Sequence, residues 1–288
     1  MKTAIWYSLG VAALVTAGFS PKAQAGIFSD DFEMIAVAES AKSAPPLSKE
    51  PVSYVAFDGG YIEAGDPIAG ESPPSADLVR QELQAALSAN GFQATQGTPS
   101  LVLTYYWGVL RVDSAQIKVP YGIKTNLRAR IALVSTARED AEVENYILGR
   151  EKGSSMDMDA ATPTLNMGPL ETVLQNSRLA RYFLIVSAYD YQALAQQHEP
   201  KLVWRTKLSA QESAGGMSEV IPSIIAAGGP YFGKNMPDVK IVNTSLSKVQ
   251  PVTGAEMPNV SPDSVGLDAK FLQGLMKREH TKVSGMSD

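Results

Sequence analysis

Leu101-Val102-Leu103-Thr104-Tyr105-Tyr106-Trp107-Gly108-Val109-Leu110 decides how this chain is read. The run carries no charge and is rich in aromatic and β-branched side chains, so it fits the pleated interior of a sheet. It reads as a strand central to that sheet. On such a strand Tyr105 and Trp107 face one side and Tyr106 the other.

Upstream, Ser53-Tyr54-Val55-Ala56-Phe57 reads as a second strand, closed by Asp58-Gly59-Gly60. A Gly/Pro-rich loop from Gly65 to Pro74 then leads to a helix that Ser75 can cap and whose first turn holds Asp77. Val79, Leu83, Ala86 and Leu87 recur at helical spacing, and Asn90-Gly91 supplies a left-handed stop.

Downstream, Arg111 to Val119 is a candidate return strand ended by Pro120-Tyr121-Gly122. Residues 126–137 fit two periods. Leu127, Ala129, Ile131 and Leu133 alternate, while Leu127, Ile131 and Val134 also fit a helix, which the Leu, Arg and Ala content favours. A helix is expected from Leu170 to Leu179, then an interior strand from Tyr182 to Tyr189. Lys201 to Leu208 alternates with period two and completes a hairpin. Ser218 can cap a further helix through Val220, Ile221, Ile224 and Ile225, with Pro222 in its first turn and Gly228-Gly229-Pro230 at its end.

These elements predict an α+β fold: a mostly antiparallel sheet with helices packed on one face, and irregular N- and C-terminal arms. The domain would span residues 52–233, as sub-blocks 52–148 and 170–233 joined by a polar loop at 149–169. The acidic, then Ala/Ser/Pro-rich stretch 26–51 reads as a flexible leader. Residues 234–288 read as a tail, with an edge strand at Val239 to Val242 and a short terminal helix from Ala269 to Glu279.

The first 25 residues have the pattern of a secretory signal. Met1-Lys2 is followed by an uncharged run from Ala4 to Phe19, a break at Ser20-Pro21-Lys22, and small residues at both cleavage positions of Ala23-Gln24-Ala25. The run is short for a spanning helix, which takes about 20 apolar residues. Export to the periplasm or beyond is therefore expected, with Gly26 as the mature N-terminus and membrane contact only through the signal.

The chain has no cysteine, which removes disulfides, thiol catalysis, iron–sulfur clusters and a lipid-acceptor Cys, and it has only His198 and His280. No cofactor or multi-His metal site is expected. The formal charge is −5, and the leader would take Lys2 and Lys22 with it, so nucleic acid is an improbable partner.

Candidate chemistry is sparse. Asp157-Met158-Asp159 offers two carboxylates to a hard cation, but without the regular ligand spacing of a calcium loop. Met156, Met158 and Met167 are too irregular for a thioether copper site. Asp190, between Tyr189 and Tyr191 at a strand end, is a candidate proton-transfer group or a carboxylate bonding a backbone amide or Arg205. His198 sits in a polar turn. No Gly-x-Ser-x-Gly elbow occurs, and the glycines at 228–229 follow a helix instead of leading one. Tyr105, Tyr106, Trp107, Tyr231 and Phe232 form a candidate recognition surface for a glycan or peptide, with sheet core as the other reading.

The succession from the first strand through Arg80-Gln81-Glu82-Leu83 and Gly91-Phe92 to Leu101-Val102-Leu103-Thr104-Tyr105 resembles small bacterial envelope domains. These include uncharacterised lipoprotein-like families and the lipopolysaccharide-assembly lipoprotein type. The resemblance covers residues 52–110, and it implies a helix on a sheet and binding or assembly work without an active site. The missing lipid-acceptor Cys departs from it. The expected function is non-catalytic binding of an envelope protein or glycan; the alternative is an extracytoplasmic hydrolase using paired carboxylates.

Overall fold

The computed structural model describes residues 30–41, 51–112, 125–143, 167–246 and 257–284. Its strands are β1 (Asp31–Ser40), β2 (Val52–Ala64), β3 (Phe92–Ala94), β4 (Leu101–Leu110), β5 (Arg181–Asp190), β6 (Leu202–Gln211) and β7 (Lys240–Ser245). They form one seven-stranded sheet in the order β3-β2-β4-β5-β6-β1-β7. The fold is α+β, but the sheet is mixed: β2 pairs in parallel with β3 and β4, while the pairings from β4 through β5, β6 and β1 to β7 are antiparallel. The parallel pairing has a local cause. Helix α1 (Ala76–Ala89) lies between β2 and β4 in sequence, and a crossover through a helix returns the chain in the same direction.

β4 lies inside the sheet, and all ten of its residues are buried. Leu103, Tyr105, Trp107 and Val109 enter one core with Val79, Leu83, Ala86 and Leu87 of α1, and with Val220, Ile221, Ile224 and Ile225 of a helix at Met217–Gly228, here α4. The other face packs against α2 (Thr125–Val134), α3 (Met167–Ser177) and α5 (Ala269–Ser284). There Tyr106 and Leu110 meet Ile131 and Leu133, and Val102 shares a cluster with Leu272 and Leu275. The expectation of helices on one face is thereby corrected. A strand apolar on both sides needs cover on both sides, and each large buried aliphatic contributes about 2 kcal/mol to that cover.

α1 begins as its sequence implies. The Ser75 hydroxyl accepts the Leu78 amide at 3.2 Å, and Gly91 takes φ +84° after the Asn90 cap. Residues 126–134 are helical. The β5–β6 hairpin holds with Leu184 opposite Leu208 and Val186 opposite Thr206. α4 begins after Gly216 without a side-chain cap, so Pro222 sits in its second turn, and the amide it lacks would have bonded the Ser218 carbonyl.

Three boundaries differ from expectation. The stretch assigned to a flexible leader contains β1, an interior strand with Met34 and Ala36 in one core and Ile35 and Val37 in the other. Asp58-Gly59-Gly60 does not close β2 but forms a bulge within it, where the Asp58 carboxylate accepts the Gly60 amide at 2.8 Å. A side chain at Gly59 would enter the Tyr106 ring, its Cβ 2.1 Å from the nearest ring atom. The expected tail contributes β7 and α5 to the body of the protein, beside Met257 in the first core. The signal at 1–25, the return strand at 113–119 and the loop at 149–166 lie outside the described residues. No helix among the described residues is long and apolar enough to cross a membrane.

Candidate functional site

α5 is basic, carrying Lys270, Lys277, Arg278 and Lys282 against a single acidic residue, Glu279. Its apolar residues Leu272 and Leu275 pack on the sheet, and that packing carries Glu279 into the interior. A buried carboxylate is costly unless its lone pairs are filled. Here Thr104 of β4 donates to Oε2 at 2.9 Å, and Tyr189 of β5 and Arg205 of β6 both donate to Oε1. Arg205 Nε also donates to the Ser187 hydroxyl at 2.8 Å, and the Tyr106 hydroxyl donates to the Met276 carbonyl at 2.9 Å. Burial first, and the Glu279 charge second, push the Tyr189 hydroxyl well above its ordinary range, so it stays a donor.

Beside this network an open cleft of 490 Å3 runs between α5 and the β5–β6 hairpin. Phe271, Leu275 and Leu202 give it an apolar wall, and Arg205, Arg278 and Lys282 bring cationic groups to it. At its mouth His198, in the left-handed region at φ 53°, stands 3.6 Å from the Asp268 carboxylate and edge-on to Phe271. Glu279 is the one carboxylate among the residues that line the cleft, and Asp268 stands outside the lining beside His198.

The other ionic cluster lies at the far end of β4. The buried Arg111 guanidinium meets Glu63, Glu71 and Glu212, the last at 2.6 Å, and Tyr182 donates to Glu71. This clamp ties β2, a loop and the end of β6 together.

For the candidate surface residues the structure matches the alternative readings, sheet core for the aromatic cluster and a backbone-amide bond for Asp190. Tyr105, Tyr106, Trp107 and Phe232 are buried, and Tyr231 is half-buried against the same core. Tyr105 and Trp107 do face away from Tyr106, but each side is roofed by helices, so the aromatic cluster is core and not a recognition surface. Asp190 accepts the Ala193 amide at 2.8 Å, a turn-capping role. Asp157, Met156, Met158 and Asp159 lie outside the described residues.

The edge strand expected at Val239 to Val242 is found as β7 at Lys240–Ser245, the last strand of the sheet. Leu246 donates to the Asp30 carbonyl at 2.8 Å, which sets the phase of the β1–β7 ladder. Alternation then turns the amides and carbonyls of Lys240, Val242 and Thr244 towards β1, and those of Ile241, Asn243 and Ser245 away from it. Those three residues are exposed, Ile241 by 51%, and no strand among the described residues lies along the outer side of β7, away from β1.

No family model and no curated protein matches this chain. Among solved structures, two PelC dodecamers from Paraburkholderia phytofirmans are similar at 11% and 12% identity, with TM-scores of 0.31 and 0.30. The match covers 70% and 68% of this chain and 99% and 95% of theirs. A PDZ domain protein from Parabacteroides distasonis is similar at 8% identity and TM-score 0.35, over 75% of this chain and 40% of its own.

Proposed function

We propose that this chain is exported, trimmed after Ala25, and works in the bacterial envelope as a non-catalytic binding or assembly protein. In this reading its partner is an extended segment of an envelope protein that adds as a strand to β7. The supporting observation is the row of outward backbone groups on Ile241, Asn243 and Ser245, a template for strand addition. Lys240 at the start of that strand, and Pro237 shortly before it, guard its entrance and leave the β-branched stretch Ile241-Val242 open to a specific partner. The interior carboxylates described above are each engaged by structural donors, which favours binding over turnover. Two measurements test the reading: N-terminal sequencing of the product recovered from fractionated cells, and recovery of envelope partners with Asn243→Pro. A Gly26 terminus outside the cytoplasm and a partner lost in the variant are the expected results. A full-length cytoplasmic product would overturn export, and a partner indifferent to Asn243→Pro would overturn the edge.

A further inference from the structure

The cleft beside α5 is separate from the β7 edge, and its chemistry is polarised along the helix. Phe271 and Leu275 lie towards the α5 N-terminus, and Arg278 and Lys282 towards its C-terminus. Seven residues of helix, about 10 Å, separate Phe271 from Arg278. The charge balance is uneven. Glu279 is the counterion of Arg205, so the remaining charge in the lining comes from Arg278 and Lys282, and neither meets a carboxylate among the described residues. This local positive charge stands on a chain whose formal charge is −5. Helix-dipole complementarity accounts for basic residues near a helix C-terminus. It does not account for an apolar wall of Phe271, Leu275 and Leu202 continuing from them.

We infer that this cleft binds a small anionic amphiphile. Its carboxylate or phosphate head sits at Arg278 and Lys282 and its apolar body lies along Leu202, Leu275 and Phe271. Arg205, a third exposed at 33% and fixed by Ser187 and Glu279, offers a pre-set cation beside the head. A pre-organised guanidinium loses little freedom on binding, which suits a shallow site. A membrane surface suits it less well, because Leu272, which shares this stretch of α5 but lies outside the cleft, is buried on the sheet and cannot enter a bilayer.

Calorimetric titration of the intact folded chain tests this with decanoate, decyl phosphate, decyltrimethylammonium, inorganic phosphate and phosphatidylglycerol vesicles. The expected result is one saturable site for each anionic amphiphile. The cationic amphiphile and inorganic phosphate should bind at least about 10-fold more weakly. Arg278→Gln with Lys282→Gln should weaken the anionic amphiphiles about 10-fold, while Asn243→Pro leaves them unchanged, which separates this site from the edge. Both substituted side chains are exposed, so an unaltered melting curve certifies the variant. Equal binding of both charge types, unchanged affinity in the double variant, inorganic phosphate binding as tightly as decyl phosphate, binding only to vesicles, or no saturable binding would each overturn the inference.

Discussion

The hydroxyl of Thr104, in the middle of β4, donates to the carboxylate of Glu279 on α5 at 2.9 Å, across 175 positions of sequence. That bond, with those from Tyr189 and Arg205, ties the last described helix to three neighbouring strands. Glu279→Ala would strand three donors. The expected loss is about 3 kcal/mol, the lower end for a broken buried pair because Arg205 keeps some solvent. Glu279→Gln, which still accepts from Thr104, should lose less. Denaturant unfolding of both variants checks this, and a change under about 0.5 kcal/mol for the alanine would mean that α5 is held by its leucines alone.

Lys207 makes a pH-dependent contribution of opposite sign to the usual ion pair. Its ammonium is buried under the end of α2, donating to the carbonyls of Ala132 at 2.6 Å and Ser135 at 2.7 Å. Burial lowers it to about 8, with Glu39 at 3.9 Å offsetting part of the cost. Above that value the folded chain has released a proton that the unfolded chain still holds, so stability rises with pH from about 8 to 10. Beyond pH 10 the sign reverses. Tyr61 and Tyr182, pushed up to about 12 by burial first and by neighbouring acids, keep protons that the unfolded chain loses. Lys207→Met should flatten the rise between pH 8 and 10, as read by urea midpoints across that range.

Two glycines should respond in opposite directions to alanine. Gly108 holds φ +149°, and a Cβ there would stand 1.9 Å from the Ile62 carbonyl oxygen, inside the β2–β4 pairing. Gly108→Ala is expected to cost about 3 kcal/mol. Gly274 lies inside α5 with open space around the added carbon. Gly274→Ala is expected to stabilise by about 0.5–1 kcal/mol. Thermal melts of the pair measure both, and a neutral Gly108→Ala would contradict the close strand approach.

The parts of this fold legible in the sequence are those where local chemistry and tertiary demand agree. Ser75, the Val79-Leu83-Leu87 stripe and Asn90-Gly91 specify α1 without reference to anything else. The alternation of β6 and the unbroken apolar run of β5 specify the hairpin. β1 is obscured because Asp30 and Asp31 stand at its start, because Glu33, Glu39, Ala36 and Ala38 have weak strand preference, and because its buried character is conferred by β6 and β7 on either side. The Asp58-Gly59-Gly60 bulge reads as a stop because glycines usually punctuate. Here they let the strand pass the Tyr106 ring. The α5 cleft joins residues from 189 to 282, and no local pattern announces a juxtaposition made by topology. Its one local signal was the density of basic residues on α5. The outward phase of β7 likewise depends on its partner, since Leu246 bonding Asp30 fixes which alternate residues face out.

The most direct measurement of the central claim is site-specific photocrosslinking in native cells, with a reactive residue placed in turn at Ile241, Asn243 and Ser245. A discrete adduct with one envelope protein, formed by the mature chain and abolished by Asn243→Pro in the chains reactive at Ile241 and Ser245, is the predicted result. That proline removes an outward amide while leaving the bonds to β1 in place. Adducts that persist with the proline, or only unreacted chain, would contradict strand addition at this edge.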